Sequence, residues 1–439
     1  MTPWMVPLEE LSLSQLAAVE LPARGRYLIT GPPGSGKTLI AVHRAANLMR
    51  TTGAIGDGEP CLFLFTNVLK DYVASGLESL GLSRENVTTF DAWCLRYLRA
   101  NCTPFGEGFP EAYSVADRRR LVHTYRRGEH WLYRFAIVDE GQDLSPEAYE
   151  ILNSMAEHIT VFADPMQQLY GEGMDRWSIR SALRMCHEPI RLPDGFRNSP
   201  AVSALAARFI EDEAASWSYP SRAMGNLYDS EKSVLFTAQS HRAEMERLAV
   251  VVSKRLAMGQ RVGILVPQND QVVEVANALR LRDVPVEAAQ APSRRLHGLP
   301  QADFTGSRPI VVTYHSAKGL TFDSVCLPRL SDQSFYRFQG SLRLRVLFTG
   351  ITRATRHVYL SRVAGEAFAE KPILEAAVTA GDLLDLTPRE RCLWEDEYCG
   401  DAIPFFEPVV IPFLTELKEH VQAGGRGAEA WDREEFDFL

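Results

Sequence analysis

Long apolar runs are missing from this 439-residue chain: a stretch such as Cys61-Leu-Phe-Leu-Phe65 ends after five residues, whereas a membrane-spanning helix needs roughly 18. The first ten residues carry neither a basic start nor an apolar core, so no export signal is expected. There is no C-x-x-C pair, and the seven cysteines (Cys61, Cys94, Cys102, Cys186, Cys326, Cys392 and Cys399) are odd in number. Such a set fits the reduced thiols of a cytoplasmic protein better than a disulfide frame or a zinc site. Low-complexity tracts and a nuclease signature are absent too. Membrane-spanning, exported and disordered classes are therefore set aside.

What is present is ordinary for a soluble globular protein, and 439 residues allow two or three domains at roughly 150 residues each. Net charge is −9, from 47 basic and 56 acidic side chains. Taken whole, that disfavours a polyanionic partner. The acidity is local, however. Residues 381–439 hold fifteen acidic and five basic side chains, which leaves 42 basic against 41 acidic in the first 380. A nearly neutral body allows a nucleic-acid site in a cleft, though not a basic coat.

From residue 27 to residue 190, short apolar runs alternate with amphipathic stretches. Runs at 27–30, 61–66, 135–138 and 159–163 predict buried strands, and 39–49 and 146–155 predict helices. This rhythm implies a parallel sheet with helices on both faces. It resumes at 234–237, 262–266, 310–313, 324–327 and 357–360, which predicts a second α/β unit. Residues 287–309 have no periodicity and several Pro and Gly, the pattern of a long functional loop. Residues 403–417 are apolar enough to pack on the body. A glycine hinge at 424–427 precedes a last segment in which acids mix with Trp431, Phe436 and Phe438.

Gly31-Pro-Pro-Gly-Ser-Gly36-Lys37-Thr38 satisfies G-x-x-x-x-G-K-[ST] between an apolar strand and a helix. Glycines let backbone N–H groups face phosphate, and the helix N-terminus adds positive potential. On this reading Gly31, Pro32, Pro33, Gly34, Ser35 and Gly36 cradle a nucleotide. Lys37 reaches its β- and γ-phosphates, and the Thr38 hydroxyl ligates Mg²⁺.

A phosphohydrolase also needs a carboxylate at the end of a neighbouring strand, and the run 135–138 leads into Asp139 and Glu140. Asp139 is expected to hold Mg²⁺ through water, and Glu140 to orient and deprotonate the attacking water. Hydrolysis is the expected chemistry, with nucleotide binding alone as the alternative.

The order of motifs resembles superfamily 1 helicases of the UvrD/Rep/PcrA type from about residue 11 to residue 360. Leu11-Ser-Leu-Ser-Gln15 resembles the family's Q motif, whose Gln reads adenine. Phe65-Thr-Asn67 resembles motif Ia, and Thr89-Phe90-Asp91 the T-F-H strand end. Val138-Asp-Glu-Gly-Gln-Asp143 is similar to the D-E-x-Q-D box. Ala163-Asp164-Pro-Met-Gln167-Gln-Leu-Tyr170 is similar to the box whose Gln senses the γ-phosphate. Leu192-Pro-Asp-Gly-Phe196-Arg197 resembles the motif in which an aromatic stacks on the base and an Arg reaches the γ-phosphate. His315-Ser-Ala-Lys-Gly319-Leu and Gly350-Ile-Thr-Arg353-Ala resemble motifs V and VI.

The resemblance implies an α/β fold of two RecA-like P-loop NTPase domains, parallel sheets covered by helices, with a short acidic C-terminal extension. Residues 1–190 would form the first domain, with the P-loop, the acidic pair and a small 1B-like insertion near 100–130. Residues 191–375 would form the second, with the arginine fingers and loop 287–309 in place of 2B; 376–439 would be the extension. ATP and Mg²⁺ are the implied cofactors. Catalysis falls to Lys37, Asp139, Glu140, Gln167, Arg197 and Arg353, with nucleotide contacts from Gln15, Thr38, Phe196 and Gly319. Single-stranded nucleic acid, expected to be DNA, falls to Asn67, Phe90, Tyr170, Trp177 and His315.

Departures from the family pattern are specific. Thr321 stands where motif V has a ribose-contacting Glu, and Asp91 replaces a His, putting a repelling charge near a phosphate. The aromatic expected just after Tyr170 is displaced to Trp177, for which core packing is an equal expectation. The long insertions that help the family engage duplex are reduced to 100–130, with Arg118, Arg119, Arg120, Arg126 and Arg127, and to 287–309, with Arg294 and Arg295. Those arginines could meet a phosphate backbone or line a solvated face. The expected function is an ATP-dependent translocase or helicase on single strands. The alternative is a nucleic-acid-responsive ATPase clamp that signals to a nuclease or effector, for example in phage defence. The acidic tail is a candidate contact for such a partner, or a mimic of the strand over the chain's own cleft.

Overall fold

The computed structural model describes residues 5–53, 59, 61–74, 76–101, 114–126, 130–164, 167, 174–193, 195, 198–212, 216, 219, 231–289, 302–303 and 306–387. Its first unit is built on β1 (Arg26–Thr30), β2 (Leu62–Leu64), β3 (Val87–Thr89), β4 (Tyr133–Val138), β5 (Ala156–Ala163) and β6 (Ile190–Arg191). Their spatial order is β3-β2-β4-β5-β1-β6, and every pairing is parallel.

Strand period sorts the core into two layers, because neighbouring residues point to opposite faces. Ile29, Leu62, Leu64, Ile137 and Phe162 pack with α2 (Lys37–Thr52) and α3 (Asn67–Ala74). Leu28, Phe63, Ala136, Val138 and Val161 pack instead with α4 (Phe90–Asn101), α5 (Val115–Tyr125), α6 (Pro146–Met155) and α7 (Arg176–Ala182). A sheet covered on both faces needs apolar side chains at successive positions, which is why its strands read as unbroken apolar runs.

The second unit repeats the plan with β7 (Ser233–Ala238), β8 (Val262–Val266), β9 (Glu287–Ala288), β10 (Ile310–Thr313), β11 (Phe322–Leu327), β12 (Ala354–Val363) and β13 (Leu383–Asp385). The order is β13-β7-β12-β11-β8-β10-β9, again all parallel. One face is covered by α9 (His241–Ala257) and α10 (Asn269–Arg280). The other is covered by α8 (Pro200–Ala207), α11 (Ser341–Ile351) and α12 (Lys371–Ala380), and its apolar cluster is continuous with that of α2 and α3 in the first unit. No described helix is long and apolar enough to cross a membrane.

Three sequence expectations change. The run 61–66 yields a strand of only three residues, because Thr66 caps α3: its hydroxyl and carbonyl accept from the N–H groups of Leu69 and Lys70, each at 3.0 Å. The segment 287–309 opens as strand β9 on the edge of β10, and Glu287 accepts from the Asp303 N–H at 2.6 Å and pairs with Arg308 at 3.6 Å. Finally, an extension beginning at 376 would cut α12 in half. Beyond that helix β13 pairs with β7 and buries Leu383, so the second sheet runs past the expected boundary. Residues 403–417 and the acidic tail lie outside the described residues, as do Arg294 and Arg295.

Candidate active site

The loop between β1 and α2 turns through Gly36, whose φ of 85° suits a residue without Cβ. A Cβ there would also lie 2.7 Å from Gln15 Nε2. Gln15 is placed by a capping box at the start of α1 (Leu13–Val19), and its side chain donates to the Ser35 carbonyl at 3.0 Å. The Ser35 hydroxyl is buried and has no hydrogen-bond partner among the described residues. Lys37 bends back over the loop, donating to the carbonyls of Gly31 and Pro32 at 2.8 and 3.0 Å, and its ammonium is 3.6 Å from Asp164 at the end of β5. A glycine-lined cradle at a helix N-terminus, holding a lysine and an unsatisfied hydroxyl, suits a phosphate chain.

Asp139 follows directly on β4, and its Oδ2 accepts from the Thr38 hydroxyl at 2.6 Å. That pair of oxygens, from two adjacent elements, is a donor set suited to a hard cation such as Mg²⁺. Glu140 holds the left-handed conformation at φ 56°, which costs a non-glycine residue roughly 1–2 kcal/mol. The turn that follows, Gly141–Asp143, holds it there: Asp143 N–H donates to the Glu140 carbonyl, and the Tyr149 hydroxyl to that of Gly141. Burial, then the neighbouring Glu140, push the Asp139 carboxyl up. Burial opposes ionisation of Glu140 as well, but Lys318 and Lys37, with the Gln142 hydrogen bond, hold it below the usual range.

The second unit brings two cations to this group. Arg353, at the α11–β12 turn, is 1% exposed and donates to Gln167 Oε1 at 2.9 Å. Its Nε is held by the Thr349 carbonyl at 3.0 Å. Lys318 is fully buried and reaches Asp143, the Gln167 carbonyl at 2.7 Å and Glu140 Oε2 at 3.3 Å. Gly319 sits against α3 so closely, at φ 84°, that a Cβ would lie 2.7 Å from Leu69. Sequence reading singled out Arg353 and Gly319 but passed over Lys318 and Asp143. Both stood inside quoted motifs, and only the fold reveals that they meet.

The nucleic-acid candidates divide. Asn67, at the start of α3, and His315 are partly buried. His315 stacks on Phe338 at 5.3 Å, and burial, then Lys318, push its imidazole down to about 4. Trp177 is 49% exposed, with the guanidinium of Arg176 over its ring at 4.7 Å and that of Arg180 at 5.8 Å. Phe90 is a correction: it is 4% exposed and stacked on Trp93 within the α4 core, so it presents no face to a strand. Asp91 is corrected in the other sense, because Arg119 of the short insertion donates to it at 2.8 Å and offsets its charge. Arg126 is buried, and its guanidinium donates to the carbonyls of His130 and Ser154. Two of the insertion's arginines are thus engaged within the fold. Tyr170, Phe196, Arg197 and Arg127 lie outside the described residues.

A P-loop and an acidic pair on one parallel sheet, faced across a cleft by cations from a second, define a two-unit RecA-like P-loop protein. Comparison with known proteins finds two partial matches. Residues 11–127 match the UvrD/REP helicase N-terminal domain, and residues 310–361 the UvrD-like helicase C-terminal domain. These two matches support a UvrD-like superfamily 1 helicase, a class of ATP-hydrolysing enzymes. Among curated proteins nothing matches. One solved structure, the C-terminal domain of a possible DNA helicase from Lactobacillus plantarum WCFS1, has a TM-score of 0.33 at 17% identity, covering 43% of this chain and 98% of that one. That likeness is too slight to build on.

Proposed function

We propose that the chain hydrolyses ATP in the cleft between its two units and uses the cycle to move along single-stranded DNA. The observation that carries this reading is the reach of Arg353 across the cleft to Gln167, at 2.9 Å and out of solvent. Lys37 and the α2 N-terminus bind the β- and γ-phosphates, and Gln15, already docked on the loop, reads the adenine. Thr38 and Asp139 would hold Mg²⁺, which when bound supplies charge to the phosphate oxygens. Glu140 takes the proton of the attacking water. Arg353, joined by Arg197, neutralises charge developing on the transferred phosphoryl group. Closure of the units is then tied to the γ-phosphate and opening to its loss. Asn67, Trp177 and His315 supply contacts to the strand.

The short insertion favours a second reading. Arg119 and Arg126 point inward rather than to a duplex, which suits a nucleic-acid-responsive clamp as well as a motor. Steady-state ATPase with no nucleic acid, single-stranded DNA, single-stranded RNA and blunt duplex, at low and moderate salt, tests both. Stimulation by single-stranded DNA that fades with salt is expected of the motor. A rate indifferent to every nucleic acid would sink it, and a strand-displacement assay then separates unwinding from walking.

A further inference from the structure

We propose that Lys318 is a positioning residue for hydrolysis: carried by the second unit, its ammonium fixes the Glu140 carboxylate, so the general base is assembled only when the units meet. The inference rests on the hydrolytic reading of the cleft. A fully buried ammonium is costly unless each N–H is paired. Lys318 has three N–H donors and meets three acceptors, on Asp143, the Gln167 main chain and Glu140. All three belong to the first unit, although the lysine lies between β10 and β11 of the second.

The contact to Glu140 has a direction. Lys318 approaches Oε2 at 3.3 Å, and Gln142 Nε2 donates to the same oxygen at 2.6 Å. Two donors on one oxygen fix the plane of the carboxylate. Gln142 is itself held, its Oε1 accepting from the Asp164 N–H at 2.9 Å. The first unit thus supplies one of the two fixing donors permanently, and the second unit supplies the other on closing. Gly319 lets the lysine come this near, since its α-carbon packs on Leu69 where no side chain fits. Arg353 works differently, bonding the Gln167 side chain and its own helix end.

The test compares wild type, Lys318→Met and the pair Lys318→Met with Asp143→Asn in the full chain. The readouts are kcat with saturating single-stranded DNA and the Kd of a fluorescent non-hydrolysable ATP analogue. Loss of roughly 100-fold in kcat is expected, with Kd within about threefold of wild type. The paired variant relieves the unpaired Asp143 charge, so it remains informative should the single variant not fold, and its kcat stays low. A rise in Kd matching the fall in kcat would overturn the proposal, since Lys318 would then merely hold the cleft shut. So would wild-type turnover in either variant, because Lys318 would then serve only to neutralise Asp143. Absence of ATPase in the wild type under all nucleic acids would instead strike the hydrolytic reading itself.

Discussion

Gln167 is held from the second unit at both ends: its side-chain Oε1 accepts from Arg353 at 2.9 Å, and its main-chain oxygen accepts from Lys318 at 2.7 Å. One residue at the end of β5 therefore registers whether the opposite unit is in place.

Arg353→Ala should lower kcat by roughly 1,000-fold, the scale of losing an arginine finger, while ATP binding stays mostly intact. Single-turnover hydrolysis beside equilibrium nucleotide binding checks this. Strong loss of ATP affinity with normal turnover would contradict the finger assignment.

Lys37→Ala should abolish hydrolysis, because the P-loop then has no cation for the β- and γ-phosphates. Retained turnover in a steady-state assay would mean the active site lies elsewhere.

Trp177→Ala should weaken binding of single-stranded DNA by the worth of one stacked base, about 1–3 kcal/mol. Its half-exposed ring, flanked by Arg176 and Arg180, contributes little to the core, so the melting temperature should stay near wild type. Fluorescence anisotropy with a labelled oligonucleotide decides. A large stability loss with unchanged affinity would make the ring a packing residue.

Arg126→Met should do the reverse. Removing its bonds to the part-buried carbonyls of His130 and Ser154 should cost about 0.5–1.5 kcal/mol each. Urea unfolding should show that loss while strand affinity holds. Weaker strand binding at unchanged stability would restore the phosphate-contact reading of this arginine.

Much of the fold was legible because doubly covered parallel strands leave unbroken apolar runs, and the predicted strands all fall within or over observed ones. Those without a predicted run, β3, β6, β9 and β13, are two or three residues long. Such edges are made by a neighbour's unpaired backbone rather than by their own side chains. The loop and acidic pair were legible because phosphate chemistry dictates residue type at fixed spacing. Lys318 was not, because nothing in its local sequence indicates that Asp143, 175 positions earlier, lies opposite. Phe90 misled for a related reason: an aromatic at a strand end reads the same whether it faces a strand or the core.

The placement of β1 has a consequence for synthesis. Its partners are β5 and β6, so the strand that launches the phosphate loop has no neighbour until residue 156 has left the ribosome. At about 5–20 residues per second, that delay is roughly 6 to 25 seconds. Over this interval the apolar segment Leu28–Ile29 is uncovered, and it must be shielded from association with other nascent chains before the sheet can close around it.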